Sequence, residues 1–284
     1  MSRFARFLRA MVVGIAITYF VLCALLWNRQ AHFIFFPSRV IDLTPANFGA
    51  KFEQVAVRES SGETLRGWWI PAASGTECAI VYLHGNGGNI SANAAQAVRL
   101  AGLGCSVLLL DYRGYGESEG KFPSESSVYA DAEAMWNYAS ERGFKPSQIV
   151  IYGHSLGGAI AIELARHHPA AKRLIVESSL TSVRDIAHEV PAYRAFPIAL
   201  LATQRFDSIH KIPDIHIPVL FIHGTADHIV PFFMSQHLFA AANEPKRLVL
   251  IPGAHHEDCA AVGGPRYLNA VSDFLANPVP AESN

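Results

Sequence analysis

Ile149-Val150-Ile151-Tyr152-Gly153-His154-Ser155-Leu156-Gly157-Gly158 joins a short apolar run to a helix-forming stretch through a glycine-flanked serine. The run, taken as residues 148–152, reads as a strand buried on both faces. Residues 155–168 read as a helix that stops before Pro169. A sharp strand-to-helix turn crowds Cβ atoms, and glycines on both sides of Ser155 relieve that crowding while the serine is pushed out of the turn. Such a short glycine pattern also occurs as an ordinary tight turn. Its place at the carboxyl end of a strand, where open α/β sheets bind ligands, makes Ser155 the candidate nucleophile.

Outward from this motif, short apolar runs alternate with amphipathic segments. Strands are expected at 79–83, 105–110, 148–152, 173–177, 219–223 and 247–251, and helices at 89–103, 124–142, 155–168, 232–243 and 265–276. Residues 51–58 and 64–70, around the turn Ser60-Ser61-Gly62-Glu63, form an opening hairpin. The expected fold class is α/β: a mostly parallel eight-stranded sheet flanked by helices, in one domain over residues 51–276.

A serine hydroxyl is a weak nucleophile and needs a base, which in turn needs an orienting carboxylate. Asp227 follows the run 218–223 through Gly224-Thr225-Ala226, and so falls at the same sheet edge as Ser155. Glu177, at the end of the preceding strand, is the rival acid. His255 follows the next strand after Pro252-Gly253-Ala254. The adjacent His256 satisfies the same spacing and chemistry; His255 is the preferred base. His84-Gly85-Asn86-Gly87-Gly88-Asn89 opens a helix after another strand, so the backbone N–H groups of Asn86 and Leu156 are the expected oxyanion-hole donors. The absence of Gly-Lys-Ser/Thr argues against a phosphate loop. With no H-E-x-x-H and no paired C-x-x-C, neither a metal nor any other cofactor is expected.

The first thirty residues differ from the rest. Residues 10–28 carry no charge, lie between Arg9 and Arg29, and are long enough to cross a bilayer of roughly 30 Å. They read as an uncleaved single-pass anchor (1–30), since the run exceeds a signal-peptide core and no small-x-small cleavage site follows. Arg3, Arg6 and Arg9 favour a cytoplasmic N-terminus, with the domain on the extracytoplasmic side. Residues 31–50 read as an aromatic-rich linker packed on the domain, and 277–284 as a polar tail. The net charge of −1 leaves no basic stripe, which argues against nucleic acid as a partner. Cys78 and Cys105 each lie six residues before the last residue of their strands, His84 and Asp111, and would be level if those strands were parallel neighbours. Two unpaired core thiols are the preferred reading over a disulfide.

Tyr82-Leu83-His84-Gly85-Asn86-Gly87-Gly88-Asn89, Asp111-Tyr112-Arg113-Gly114-Tyr115-Gly116-Glu117-Ser118 and Arg205-Phe206-Asp207-Ser208 are far more specific than the serine motif. Through them the chain from about 51 to 274 resembles the α/β-hydrolase superfamily, and within it the Bem46 and ABHD13/ABHD17-like group of serine aminopeptidase S33 type. The resemblance implies the α/β-hydrolase fold, a short cap over residues 181–216, and acyl transfer through Ser155, Asp227 and a histidine. The group's histidine motif is similar to Gly-x-His-Asn-Asp. Gly253-Ala254-His255-His256-Glu257 aligns with it without a gap, which selects His255, although His256 and Glu257 depart from the pattern. The expected activity is a membrane-anchored esterase or thioesterase acting on a small or lipid-like acyl substrate. An S33-type peptidase is the main alternative, and acyltransferase or lyase chemistry and a noncatalytic binding protein are the lesser ones.

Overall fold

The computed structural model describes residues 2–73 and 78–276; the polar tail read at 277–284 lies outside them. Eight strands form one sheet: β1 (Glu53–Arg58), β2 (Thr64–Ile70), β3 (Cys78–Leu83), β4 (Cys105–Leu110), β5 (Ile149–His154), β6 (Arg173–Glu177), β7 (Val219–Gly224) and β8 (Lys246–Ile251). Their spatial order is β1-β2-β4-β3-β5-β6-β7-β8. β1 pairs antiparallel with β2, and β2 antiparallel with β4; every other pairing is parallel.

The parallel strands β3 to β7 are buried along their whole length because both faces of the sheet are covered. In β3, Ala79, Val81 and Leu83 enter one core while Ile80 and Tyr82 enter the other, and β5 divides in the same period of two. Helices α3 (Glu125–Glu141), α4 (Leu156–His167) and α6 (Phe233–Ala241) pack on the first face through Met135, Trp136, Ile160 and Leu238. Helices α2 (Ala94–Ala101) and α7 (Cys259–Ala276) cover the second through Leu100, Tyr267 and Phe274. The expected last helix begins six residues earlier than Pro265. Gly264, at φ 46°, kinks α7 immediately before that proline, whose missing N–H suits a break.

Two further elements lie outside the sheet's helical layers. Helix α1 (Arg3–Arg29) is 27 residues long, about 40 Å, and is long and apolar enough to cross a membrane. Between β6 and β7 the chain inserts α5 (Val183–Glu189) and short helical turns at Pro191–Ala195, Ile198–Leu201 and Ser208–Lys211. The linker after α1 adds Phe36–Pro37 as a two-residue parallel strand against Gly87–Gly88.

The expectation of two unpaired core thiols does not hold. Cys78 and Cys105 are register partners on β3 and β4, 4.7 Å apart at Cα, and they form a disulfide rather than two unpaired thiols. Burial alone cannot distinguish the two states; side-by-side parallel strands hold the two residues within bridging distance.

Candidate active site

β5 ends at the serine motif. Ser155 sits at φ 55°, ψ −124°, a conformation unfavourable for a side-chain-bearing residue and maintained here by its surroundings. Its N–H donates to the Glu177 carbonyl at 2.9 Å, and its own carbonyl accepts from Gly158 N at 3.0 Å and Ser179 Oγ at 2.8 Å. The flanking glycines are required by contact. A Cβ on Gly157 would fall against the Leu83 carbonyl, and one on Gly153 against the Gly157 carbonyl. The strain therefore exposes the Oγ to the cleft, while the backbone behind it is fixed.

The loop after β7 delivers Asp227, and the loop after β8 delivers the histidine. His256 Nε2 lies 2.8 Å from Ser155 Oγ, and His256 Nδ1 lies 2.7 Å from Asp227 Oδ2. The hydrogen-bond network assigns the proton to Nδ1, which leaves Nε2 as the acceptor for the serine hydroxyl. This corrects the preference for His255, whose ring turns outward: its Nδ1 contacts the Ala226 carbonyl at 2.9 Å and its N–H donates to Asp258 Oδ1. Ala254 is buried in the core below the loop, so the next residue points out and the one after it points back in. An ungapped match counted from Gly253 therefore falls one residue short of the inward-facing ring.

Asp227 is heavily restrained. Its Oδ1 accepts from Ile229 N and Val230 N, both at 2.9 Å, and its Oδ2 also meets His223 Nε2 at 3.1 Å. Burial pushes this carboxyl upward, but the His223 and His256 hydrogen bonds and the Val230 N–H outweigh it and hold the group well below the ordinary carboxylate range. The carboxyl is therefore an anion at neutral pH. Glu177, the rival acid, accepts instead from the Tyr152 and Tyr267 hydroxyls at 2.7 and 2.6 Å.

Asn86 and Leu156 line the same cleft as Ser155. Leu156 is the first residue of α4, where backbone N–H groups have no intrahelical acceptor and the helix dipole is positive. The Asn86 carbonyl is fixed by Phe36 N at 2.9 Å and by the Tyr115 hydroxyl at 2.7 Å, and its side-chain amide donates to the Ile34 carbonyl at 2.6 Å. The linker thus holds the glycine-rich loop in place.

Two site residues escaped the sequence reading. His223, the fifth residue of β7, braces Asp227, accepts from Ser235 Oγ at 2.6 Å through Nδ1 and donates to the Val230 carbonyl at 2.8 Å. His154 is buried beside His256, with its Nε2 3.0 Å from the His256 carbonyl. His223 stands four residues before Asp227 at a strand end, and that spacing is the signal that would have found it. His154, His256 and Glu257 place three ligand atoms within 4.8 Å of one another. Both nitrogens of His256 are already engaged, so a cation there would compete with Ser155 and Asp227.

Residues 75–211 match the model of the family described as serine aminopeptidase, S33. The chain is 38% identical to an uncharacterised protein of Mycobacterium tuberculosis strain H37Rv, over 88% of each chain. It is 32% identical to protein bem46 of Schizosaccharomyces pombe, over 82% of this chain and 79% of that one. Among solved structures it is similar to the Pyrococcus furiosus esterase Pf2001, with a TM-score of 0.71, 21% identity, and coverage of 87% of this chain and 99% of the esterase.

Proposed function

We propose that this chain, which belongs to the serine aminopeptidase S33 family of α/β hydrolases together with Bem46, is a membrane-tethered serine hydrolase cleaving an ester or thioester through an acyl-enzyme on Ser155. The carrying observation is the unbroken hydrogen-bond line from Ser155 Oγ through His256 to Asp227. His256 Nε2 takes the hydroxyl proton as Oγ attacks the acyl carbonyl. Asp227 steadies the imidazolium, and the N–H groups of Leu156 and Asn86 receive the developing oxyanion. His256 then protonates the departing alcohol or thiol, and later activates the water that releases the acid.

Ester or thioester chemistry is favoured over amide cleavage by the cleft itself. It is a cavity of about 260 Å³ whose lining is overwhelmingly aliphatic and aromatic around Ser155. Among the described residues that line it there is no carboxylate to hold a peptide's amino terminus. An acyl chain fits that chemistry.

The tether reading rests on α1, and the orientation on Arg3, Arg6 and Arg9 ahead of its apolar run, which favour a cytoplasmic N-terminus. The Cys78–Cys105 disulfide supports a domain on the oxidising side of the membrane. The test of the chemistry is labelling of the full-length protein by a fluorophosphonate probe, followed by turnover of p-nitrophenyl esters, acyl-thioesters and aminoacyl amides. Ser155→Ala should abolish labelling. Labelling that survives this substitution overturns the nucleophile, and amide turnover without ester turnover overturns the ester reading.

A further inference from the structure

The contacts between α1 and the inserted cap place one inside the solvent of the other. Tyr19 stacks on Phe196 with ring centroids 5.8 Å apart and planes 2° from parallel, and its hydroxyl donates to the Ala195 carbonyl at 3.0 Å. Further along the helix, Gln30 Oε1 accepts from the backbone N–H groups of Thr203 and Gln204 at 2.8 and 2.9 Å. The cap is thus pinned to α1 at two levels. Tyr19 lies ten residues before Arg29, about 15 Å along the axis, and well inside the uncharged run of α1. A ring stacked on Tyr19 must share the medium that surrounds Tyr19.

The cap's composition suits that medium. Residues 190–202 read Val-Pro-Ala-Tyr-Arg-Ala-Phe-Pro-Ile-Ala-Leu-Leu-Ala, with one charge in thirteen. Leu200 is 83% exposed, which for a leucine in water forgoes nearly all its burial energy. Val190 and Ala199 are exposed as well. Arg194, the one charge, carries a stem long enough to reach the headgroup layer.

We propose that the cap is a second membrane-embedded element, seated in the same leaflet as the end of α1, and that amphiphilic acyl substrates reach Ser155 laterally from that leaflet. The path is on hand: the apolar cleft is bounded by Leu26 of α1 and its C-terminal cap Gln30 on one side and by Ile198 and Leu201 of the cap on the other, and it ends at Ser155. An acyl chain leaving the bilayer between anchor and cap remains among apolar groups until its carbonyl meets the nucleophile. The occupant is the lipid leaflet, because the exposed cap face is continuous with a helix that is itself long and apolar enough to cross a bilayer. This proposal rests on the tethered-hydrolase reading.

The test uses the full chain in phosphatidylcholine vesicles, with Cys23→Ala and Cys259→Ala removing the free thiols and the disulfide kept. An environment-sensitive NBD label is placed singly at Leu200→Cys, at Val13→Cys within α1, and at Lys145→Cys, at the opposite end of β5 from Ser155. Emission at positions 13 and 200 should shift to the blue and be quenched by doxyl-labelled lipid, while position 145 stays unquenched. Quenching at 13 with position 200 behaving like 145 overturns the cap proposal and leaves the tether standing. Quenching at neither 13 nor 200 overturns both.

A kinetic arm addresses entry. Leu200→Glu should reduce turnover of a long-chain ester dissolved in the vesicles at least fivefold and leave a water-soluble short-chain ester unchanged. Equal loss on both esters, or loss on neither, overturns lateral entry. Absence of short-chain turnover in the parent protein overturns the hydrolase reading, and the quenching result stands apart from it.

Discussion

His255 and His256 are chemically identical neighbours, but only the His256 ring reaches both Ser155 and Asp227, so the proposed mechanism sets their substitutions far apart. His256→Ala removes the acceptor 2.8 Å from Ser155 Oγ. Its kcat on a p-nitrophenyl ester should fall by about 10³–10⁶-fold, as removal of a triad base does elsewhere. His255→Ala removes a ring whose contact is the Ala226 carbonyl, and should stay within about threefold of the parent. Steady-state kinetics on the two variants side by side check this, and equal losses would mean that the loop rearranges. Ser155 and Asp227 were legible because each lies within three residues of the end of a strand whose apolar run marks that end. The histidine was not, because its loop turns through Gly253 at φ 76° and its outward or inward facing depends on Ala254 sinking into the core. A spacing pattern carries no information on that rotation. His223 was hidden differently. As part of β7 it reads as one more buried strand residue, and its use as a brace appears only when Asp227 folds back over it.

At the scale of elements, the linker connects α1 to the glycine-rich loop after β3. Phe36 N–H is one of two donors that fix the Asn86 carbonyl, and the adjoining Gly87–Gly88 segment pairs with Phe36–Pro37. Phe36→Pro deletes that donor alone, because the Phe36 side chain is largely exposed and Phe35 is already extended, as a residue before proline must be. The expected outcome is a loss of about tenfold in kcat, corresponding to about 1.4 kcal/mol of misplaced oxyanion stabilisation, with little change in Tm. Kinetics and thermal melts on the full chain measure both, and unchanged kcat would show the loop to be self-supporting. A second element-level network lies at the far end of the β1–β2 hairpin. Burial pushes Glu59 upward, but hydrogen bonds from Ser60 and Ser61 and the Arg113 charge prevail and hold it at about 2. A carboxyl lowered on folding contributes stability above its unfolded value near 4.5 and loses it as pH falls toward 2. The urea midpoint should therefore fall across pH 4.5 to 2, by the equivalent of about 1–3 kcal/mol for this group, and Glu59→Gln should flatten the fall. The strands of that hairpin were legible from their apolar alternation. The network was not, because Arg113 arrives from the loop after β4 and also pairs with Asp131 of α3.

For the molecule as a whole, the disulfide links stability to location. The sequence placed Cys78 and Cys105 at matching depths in two strands, but whether those strands were neighbours, and whether the thiols were joined, depended on the strand order β4-β3-β5, which no local pattern encodes. The bridge closes a loop with a sequence separation of 27 residues, which includes the glycine-rich loop beside Ser155. Restricting the unfolded chain over that length stabilises the fold by about 3–4 kcal/mol in the loop-entropy model. Reduction with a strong thiol should lower the urea midpoint by the corresponding amount in the parent, and Cys78→Ala/Cys105→Ala should show the lower midpoint from the outset with no further response to reductant. If the parent is insensitive to reductant at concentrations that open buried disulfides once the chain is partly unfolded, the bridge is not present in solution. The same pair reports the compartment. Protein expressed with α1 intact and alkylated before lysis should resist modification at both positions if the domain lies on the oxidising side, whereas a domain facing the reducing cytosol would take up label at 78 and 105 once denatured in the alkylating agent.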